Sequence, residues 1–221
     1  APKLDREKSV ADFEHAVNSY SEKLVDAVKK RVRGLERVGI IFSGGIDSLM
    51  VADIARRYCD VTCYTGGLAD SGDVRFARDA AERLGLPIKV NELTLDDIEV
   101  LIPGIVEAIE DRLYGQVEVA IPVYAAVELA HRDGLKVMLT GQGADELFGG
   151  YPWYRRIVEL EGYESFDRYA KGDILNLYRE TLEREDKITM AHSIELRVPF
   201  LDPEVIELAM SMDDRLKIRS A

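Results

Sequence analysis

The sequence predicts an α/β fold: an open, mostly parallel sheet with helices on both faces, followed by a C-terminal helical annex. Three observations carry this expectation. Four short apolar runs, "RVGIIF" (37–42), "DVTCYT" (60–65), "LPIKV" (86–90) and "LKVMLT" (135–140), are separated by segments of helical periodicity. Alternation of this kind builds a parallel sheet covered on both sides. After Tyr151 the strand signals stop, and the stretches 153–186 and 202–212 keep a helical pattern.

At the N-terminus, Val10, Phe13, Val17, Tyr20, Leu24, Val28 and Val32 repeat at three-four spacing, which predicts one long amphipathic helix closed near Gly34. Helices are expected at Ile46–Tyr58, Gly72–Leu84, within Leu95–Leu113 and at Ala120–His131, the last with Pro122 in its first turn, where proline is tolerated. The chain is expected to form a single domain over 1–221: an N-terminal helix (1–34), an α/β core (35–150) and a helical annex (151–221). There is no internal repeat, low-complexity tract or long linker.

A chain of 221 residues, 47% hydrophobic, is long enough for a substantial core. Its apolar runs are far shorter than the roughly 20 residues that span a bilayer, and "APKLDREKSV" lacks the apolar stretch of a signal peptide. The expected location is cytoplasmic, with no membrane partner. Lys and Arg total 29 against 41 Asp and Glu, a net charge of −12, so nucleic acid is not expected as a partner. Cys59 and Cys63 form a C-x3-C pair read as two small, partly buried thiols.

Chemistry enters at "SGGIDS" (43–48), between the first strand and the next helix. In open parallel sheets ligands bind at the carboxyl ends of strands, where helix N-termini present unpaired N–H groups. Gly44 and Gly45 let successive N–H groups converge on an anion, and Ser43 and Ser48 add hydroxyls. The unit therefore reads as a phosphate cradle. It lacks the lysine of the common nucleotide loop and carries Asp47 instead. A carboxylate facing phosphates needs a bridging cation, which implies Mg²⁺ between protein and polyphosphate. The alternative makes Asp47 or Ser48 an ordinary helix cap.

The strand–SGGxDS–helix unit resembles the pyrophosphate loop of the ATP pyrophosphatase families, which cleave ATP between its α- and β-phosphates. That resemblance implies a fold of the adenine nucleotide α-hydrolase kind. A second constellation, "VMLTGQGADELFGGY" (137–151), again joins glycines to acids after a strand. Two such loops on neighbouring strand ends are expected to form one Mg-ATP site. With "MAHSIELRVPFLD" (190–202) the chain is similar, from about Val38 to Ala209, to the synthetase domain of glutamine-dependent asparagine synthetases and their β-lactam-forming relatives.

That resemblance implies roles for individual residues. Asp47 and Asp145 are expected to ligate magnesium, and Ser43, Gly44, Gly45 and Ser48 to cradle pyrophosphate. Phe42, Thr65, Thr140 and Gly141 are expected to hold ATP through backbone contacts. Asp73, in "LADSGD", matches a family aspartate but also suits a helix N-terminus. Asp73, Glu146, Lys187 and Arg197 are candidate substrate contacts; Lys187, Glu195 and Arg197 read equally as structural ion pairs. The implied reaction adenylates a carboxylate, aspartate foremost, and passes it to ammonia.

The chain also departs from the family. The N-terminal glutaminase with its nucleophilic cysteine is absent from these residues, so ammonia is expected from solution or a separate glutaminase subunit; homo-oligomerisation is left open. Gln142 stands where the family usually carries glutamate and is the expected ammonia-orienting residue. Glu118 stands where an arginine is usual. The chain ends before the family's lysine-bearing segment, so either the polypeptide is longer or the site is incomplete. Two other readings remain beside asparagine formation: adenylation with another acceptor, and a nucleotide-binding module without chemistry.

Overall fold

A computed structural model describes residues 3–219. The chain divides into two compact units, each assembled from separate segments. One comprises 31–141 and 179–197; the other comprises 1–30, 142–178 and 198–221. Each of the expected segments 1–34, 35–150 and 151–221 is therefore crossed by a unit boundary.

The first unit is the α/β unit. Its sheet has the order β3-β2-β1-β4-β5, all parallel, with β1 at Arg37–Ile41, β2 at Asp60–Leu68, β3 at Ile88–Leu93, β4 at Val137–Leu139 and β5 at Glu195–Arg197. The four expected strands are all present. The fifth corrects the reading of an all-helical C-terminal third: Glu195, Leu196 and Arg197 pair with Val137, Met138 and Leu139. Three residues, two of them charged, carry no strand signal of their own, and their pairing with β4 makes them a strand.

The chain passes outward from β1 through β2 to β3, then returns to β4 on the other side of β1. The sheet thus changes direction at β1 and β4, the place where such folds bind ligands. The helices α2 (Ile46–Ala55), α3 (Gly72–Leu84), α4 (Leu95–Ile109), α5 (Tyr114–Arg132) and α9 (Glu183–Ala191) belong to this unit. Gly66 meets Ala125 of α5 and Gly67 meets Val74 of α3. Successive strand residues point to opposite faces, so α3 and α5 cover opposite sides of the sheet. Beneath α5, a core of Tyr64, Ile105, Val127, Met138, Ile188 and Ile194 joins strands to helices.

The start of α5 corrects another expectation. It begins at Tyr114, so Pro122 lies inside the helix, as Pro103 does in α4. A helical proline frees the carbonyl four residues earlier. Those carbonyls belong to Glu118 and Glu99, both exposed, where solvent satisfies them. The two cysteines are free thiols, Cys63 buried and Cys59 half-buried, as the spacing suggested. Burial pushes the Cys63 thiol up to about 12.

The second unit is helical. It contains α1 (Phe13–Val32) up to Lys30, and α6 (Ala144–Phe148), α7 (Pro152–Glu161), α8 (Tyr163–Leu177), α10 (Pro203–Ser211) and α11 (Asp214–Lys217). Asp12 starts α1 by accepting the backbone N–H of His15 at 2.8 Å. Tyr154, Val158, Phe166, Ala170 and Ile218 form a compact apolar cluster. The segment before α1 is strapped to this unit. Val10 bridges to Met212, and Lys8 lies 2.8 Å from both Asp167 and Asp214.

Candidate functional site

In the α/β unit the site is built by glycines that bring backbones together. Gly44 has φ +78°, and a Cβ there would lie 2.8 Å from the Cα of Ala77, so the loop after β1 presses on α3. A Cβ on Gly66 would lie 2.5 Å from that of Ala125. One on Gly141, just past β4, would lie 2.9 Å from the Cβ of Asp47 and from Ser48 N. Only bare α-carbons let β4, the first turn of α2 and α3 converge so closely.

At the N-terminus of α2 the N-cap is Gly45, which has no side chain to cap the helix. Ser43 accepts the N–H of Gly45 at 3.2 Å, and the buried Ser48 hydroxyl donates to Gly45 O at 3.0 Å. Both hydroxyls brace the loop itself. The first-turn N–H groups and the positive end of the helix dipole are what this junction offers an anion. Asp47 lies half-buried in that turn. Behind the loop, Phe42 donates its N–H to Tyr64 O at 2.9 Å, and the Thr65 hydroxyl donates to Phe42 O. Phe42, Thr65 and Thr140 are buried, and Thr140 donates its N–H to Arg197 O at 3.2 Å.

In the helical unit, "GADELFGGY" folds as a tight turn around the five-residue α6. Gly143 has φ +92°, and Asp145 O accepts the N–H groups of Gly149 and Gly150 at 2.8 and 3.0 Å. A Cβ on Gly150 would overlap Asp145 Oδ1. Asp145 is half-buried, and burial raises its carboxyl above the usual range. Glu146 is 4% exposed. Its Oε1 accepts the Tyr151 hydroxyl at 2.8 Å, while its Oε2 is buried without a hydrogen-bond partner among the described residues. Burial raises the Glu146 carboxyl as well. Tyr151 stacks on Trp153 at 4.2 Å, and Tyr154 donates to Asp173 at 2.5 Å.

The asparagine synthase family model matches residues 19–164 and 158–221. The chain belongs to the asparagine synthase family. It is 43% identical over 206 residues to "Putative asparagine synthetase (glutamine-hydrolyzing) 1" of Methanocaldococcus jannaschii, covering 93% of this chain and 38% of that protein. It is 31% identical over 204 residues to an asparagine synthetase (glutamine-hydrolyzing) 3 of Arabidopsis thaliana, covering 87% of this chain and 35% of that protein. The chain thus spans little more than a third of these relatives. An NH3-dependent NAD synthetase of Campylobacter jejuni superposes loosely, with a TM-score of 0.44 and 18% identity over 81% of this chain and 92% of that one.

Against this asparagine synthase frame, the expected residues fall into three groups. Phe42, Ser43, Gly44, Gly45, Asp47, Ser48, Thr65, Asp73, Thr140 and Gly141 all lie at the carboxyl edge of the sheet. Asp73 sits exposed in the first turn of α3, whose cap is Ser71, accepting from Val74 N. Gln142, Asp145 and Glu146 belong to the helical unit. Lys187 and Arg197 are bound in ion pairs of the α/β unit. Lys187 lies 3.0 Å from Glu110 and 3.2 Å from Glu183, and Arg197 lies 2.9 Å from Glu195 while donating to Arg31 O.

No group of three or more His, Cys, Asp or Glu suited to a metal occurs among the described residues. Mg²⁺ needs only one or two carboxylates beside phosphates and water. The glycine-lined junction and the half-buried Asp47 fit that arrangement. Sequence reading passed over Tyr151, Asp173 and Arg184, whose importance comes from burial. For Tyr151 a signal existed, since it closes the "GADELFGGY" motif.

Proposed function

We propose that this chain is the ATP-using part of an amide-forming synthetase, with aspartate as the carboxylate and ammonia as the acceptor. The junction of β1, α2 and β4 carries the reading. Its Gly44 and Gly141 leave no room for side chains, and its helix begins at a glycine N-cap, which suits the phosphates of ATP.

In this reading the substrate carboxylate attacks the α-phosphorus, pyrophosphate leaves, and ammonia then displaces AMP from the acyl carbon. The α2 N–H groups hold the departing pyrophosphate, and Phe42, Thr65, Thr140 and Gly141 seat the nucleotide. Asp47 is the proposed holder of Mg²⁺ in the α/β unit, an ion which when bound neutralises phosphate charge, and Asp145 is the proposed metal ligand of the helical unit. Glu146 is the proposed substrate contact of the helical unit, with a carboxyl group whose Oε2 has no hydrogen-bond partner among the described residues. Gln142 orients ammonia, since a neutral amide cannot take its proton. The relatives are named as glutamine-hydrolyzing, which supports a glutaminase as the ammonia source beside free ammonia. A cytoplasmic location stays with the proposal; no described helix is long and apolar enough to cross a membrane.

A second reading, a nucleotide-binding module without chemistry, is favoured by Gln142 and by Glu118, an exposed anion where relatives of this kind usually carry a cation. Two measurements separate them. Millimolar Mg-ATP should raise the thermal midpoint, because ligand at a hundred times its dissociation constant adds about 2.7 kcal/mol. ATP–pyrophosphate exchange dependent on aspartate then identifies the synthetase, whereas a shift without exchange on any acid identifies the module. Absence of a shift would sink both.

A further inference from the structure

Arg184, at the start of α9, is 8% exposed. Its Nη1 donates to Gln116 Oε1 at 2.5 Å and to Glu180 O at 2.9 Å, both neutral acceptors. Its Nε is buried with no hydrogen-bond partner, and no ion pair of Arg184 occurs among the described residues. A buried charge without a counter-charge in contact costs several kcal/mol. Glu185 and Glu180 favour the charge from nearby without a direct ion pair among the described residues, which leaves the guanidinium able to take an anion in contact. The π-helical turn Tyr178–Leu182 immediately before α9 is a second irregularity of the kind found at functional sites.

Arg184 lines a cavity of about 230 Å³ within the α/β unit. That is below the roughly 300–1,000 Å³ of pockets for drug-sized ligands, and it suits a molecule of amino-acid size. Its ionisable lining is balanced: Arg179, Arg184 and Lys187 against Glu110, Asp111 and Glu183. A polyanion gains little from a wall of zero net charge. A zwitterion gains from both signs, with its carboxylate on the buried guanidinium fork and its ammonium among the carboxylates.

One lining residue, Gln116, sits in the first turn of α5, and that end of α5 lies towards the sheet edge that carries the glycine junction. Gly66, near the end of β2, packs against Pro122 and Ala125 of α5. Gln116 precedes Pro122 by more than a turn and a half, about 9 Å along the helix axis. In a β-α-β crossover the helix starts at the carboxyl end of the sheet, so those residues lie towards the phosphate-binding edge.

We infer that this cavity seats the α-carboxylate and α-ammonium of an amino-acid substrate, and that Arg184 is its specificity-determining residue. The inference deepens the proposed function, on which it rests for the reaction, by assigning the substrate's recognition to residues of α4, α5 and α9. The α-carboxylate accepts from Arg184, the ammonium donates to the acidic rim, where it shares Glu110 and Glu183 with Lys187, and the side-chain carboxylate stays free for adenylation.

Calorimetry on the chain tests it, with L-aspartate, L-glutamate and their decarboxylated analogues β-alanine and 4-aminobutanoate, each with and without a non-hydrolysable Mg-ATP analogue. At least one amino acid should bind, and its analogue should bind at least tenfold more weakly. Arg184→Gln should erase that discrimination, and Arg184→Lys should restore part of it. Equal binding of an amino acid and its analogue to the wild type overturns the inference without any variant, as does absence of binding by both amino acids or preferential binding of inorganic phosphate. A folded Arg184→Gln that discriminates as the wild type does overturns it too. Mg-ATP stabilisation is read separately: its loss with intact discrimination would fail the proposed function alone, and the converse would fail this inference alone.

Discussion

The bare α-carbon of Gly141 lies against Asp47, so close that a Cβ would come within 2.9 Å of the aspartate's own Cβ and of Ser48 N. The end of β4 thereby holds the first turn of α2 in place. Neither neighbour is the far end of a flexible side chain, so neither can yield without moving the helix start. Gly141→Ala should cost about 1–3 kcal/mol, the range for overpacking. It should also weaken Mg-ATP at least tenfold, because the displaced turn carries the N–H groups proposed to bind phosphate. Urea unfolding and nucleotide titration check the two effects, and unchanged nucleotide affinity would detach Gly141 from the site.

That contact also shows how far a sequence can be read. The four main strands and the glycine loops were legible because continuous apolar runs and glycine–acid clusters announce themselves locally. β5 was not, since Glu195, Leu196 and Arg197 become a strand only through β4. The start of α5 was hidden by Pro122, whose cost is met by an exposed carbonyl four residues earlier. Arg184 and Tyr151 stayed in the background for a related reason: burial is a tertiary property, and neither residue type declares it. The division into units was illegible too, because each unit gathers segments far apart in the chain.

Lys217 is a strain within the helical unit. Its side chain is 2% exposed, 3.4 Å from Asp214, and burial lowers its ammonium to about 8. Lys8 nearby lowers it further, while Asp214 and Asp167 oppose the shift. Proton counting fixes the sign. Between about pH 8 and the unfolded lysine value near 10.4, the unfolded chain binds the proton and the folded chain does not. This lysine therefore favours the fold least below pH 8, and its penalty fades as the pH rises to about 10.4. Lys217→Met should raise stability at pH 7 by about 1–3 kcal/mol, with Lys8 left to pair Asp214. The advantage over wild type should shrink between pH 8 and 10. Denaturant midpoints across that range measure it, and a constant advantage would mean that packing alone is responsible.

Glu146 holds a buried carboxylate oxygen with no hydrogen-bond partner among the described residues. Its raised carboxyl means the folded chain keeps that proton to higher pH than the unfolded chain does. The stability this contributes is present below the unfolded value and is lost as the pH rises through the folded one. Once ionised, the buried group is a cost. Glu146→Gln, which can still accept from Tyr151, should stabilise the chain by about 1 kcal/mol where the carboxyl is ionised, and by less as the pH falls. The same change should abolish substrate-dependent ATP–pyrophosphate exchange if Glu146 meets the substrate, a trade of stability for function. A stabilised variant with full exchange would make Glu146 a structural group.

The ammonia step rests on Gln142. A neutral amide accepts and donates hydrogen bonds but cannot deprotonate ammonium, so the nucleophile must arrive as free ammonia. Its fraction rises tenfold per pH unit well below the ammonium pKa. If this chain forms asparagine, the rate at a fixed, subsaturating total ammonia concentration should climb steeply between pH 7 and pH 9, with aspartate and Mg-ATP held in excess. Gln142→Glu supplies a base at that position and should flatten the climb, provided adenylation stays faster than amide formation. Pre-steady-state release of pyrophosphate ahead of AMP establishes that order. A wild-type profile already flat over this range, with amide formation limiting, would mean that another group takes the proton and that Gln142 only positions its substrate.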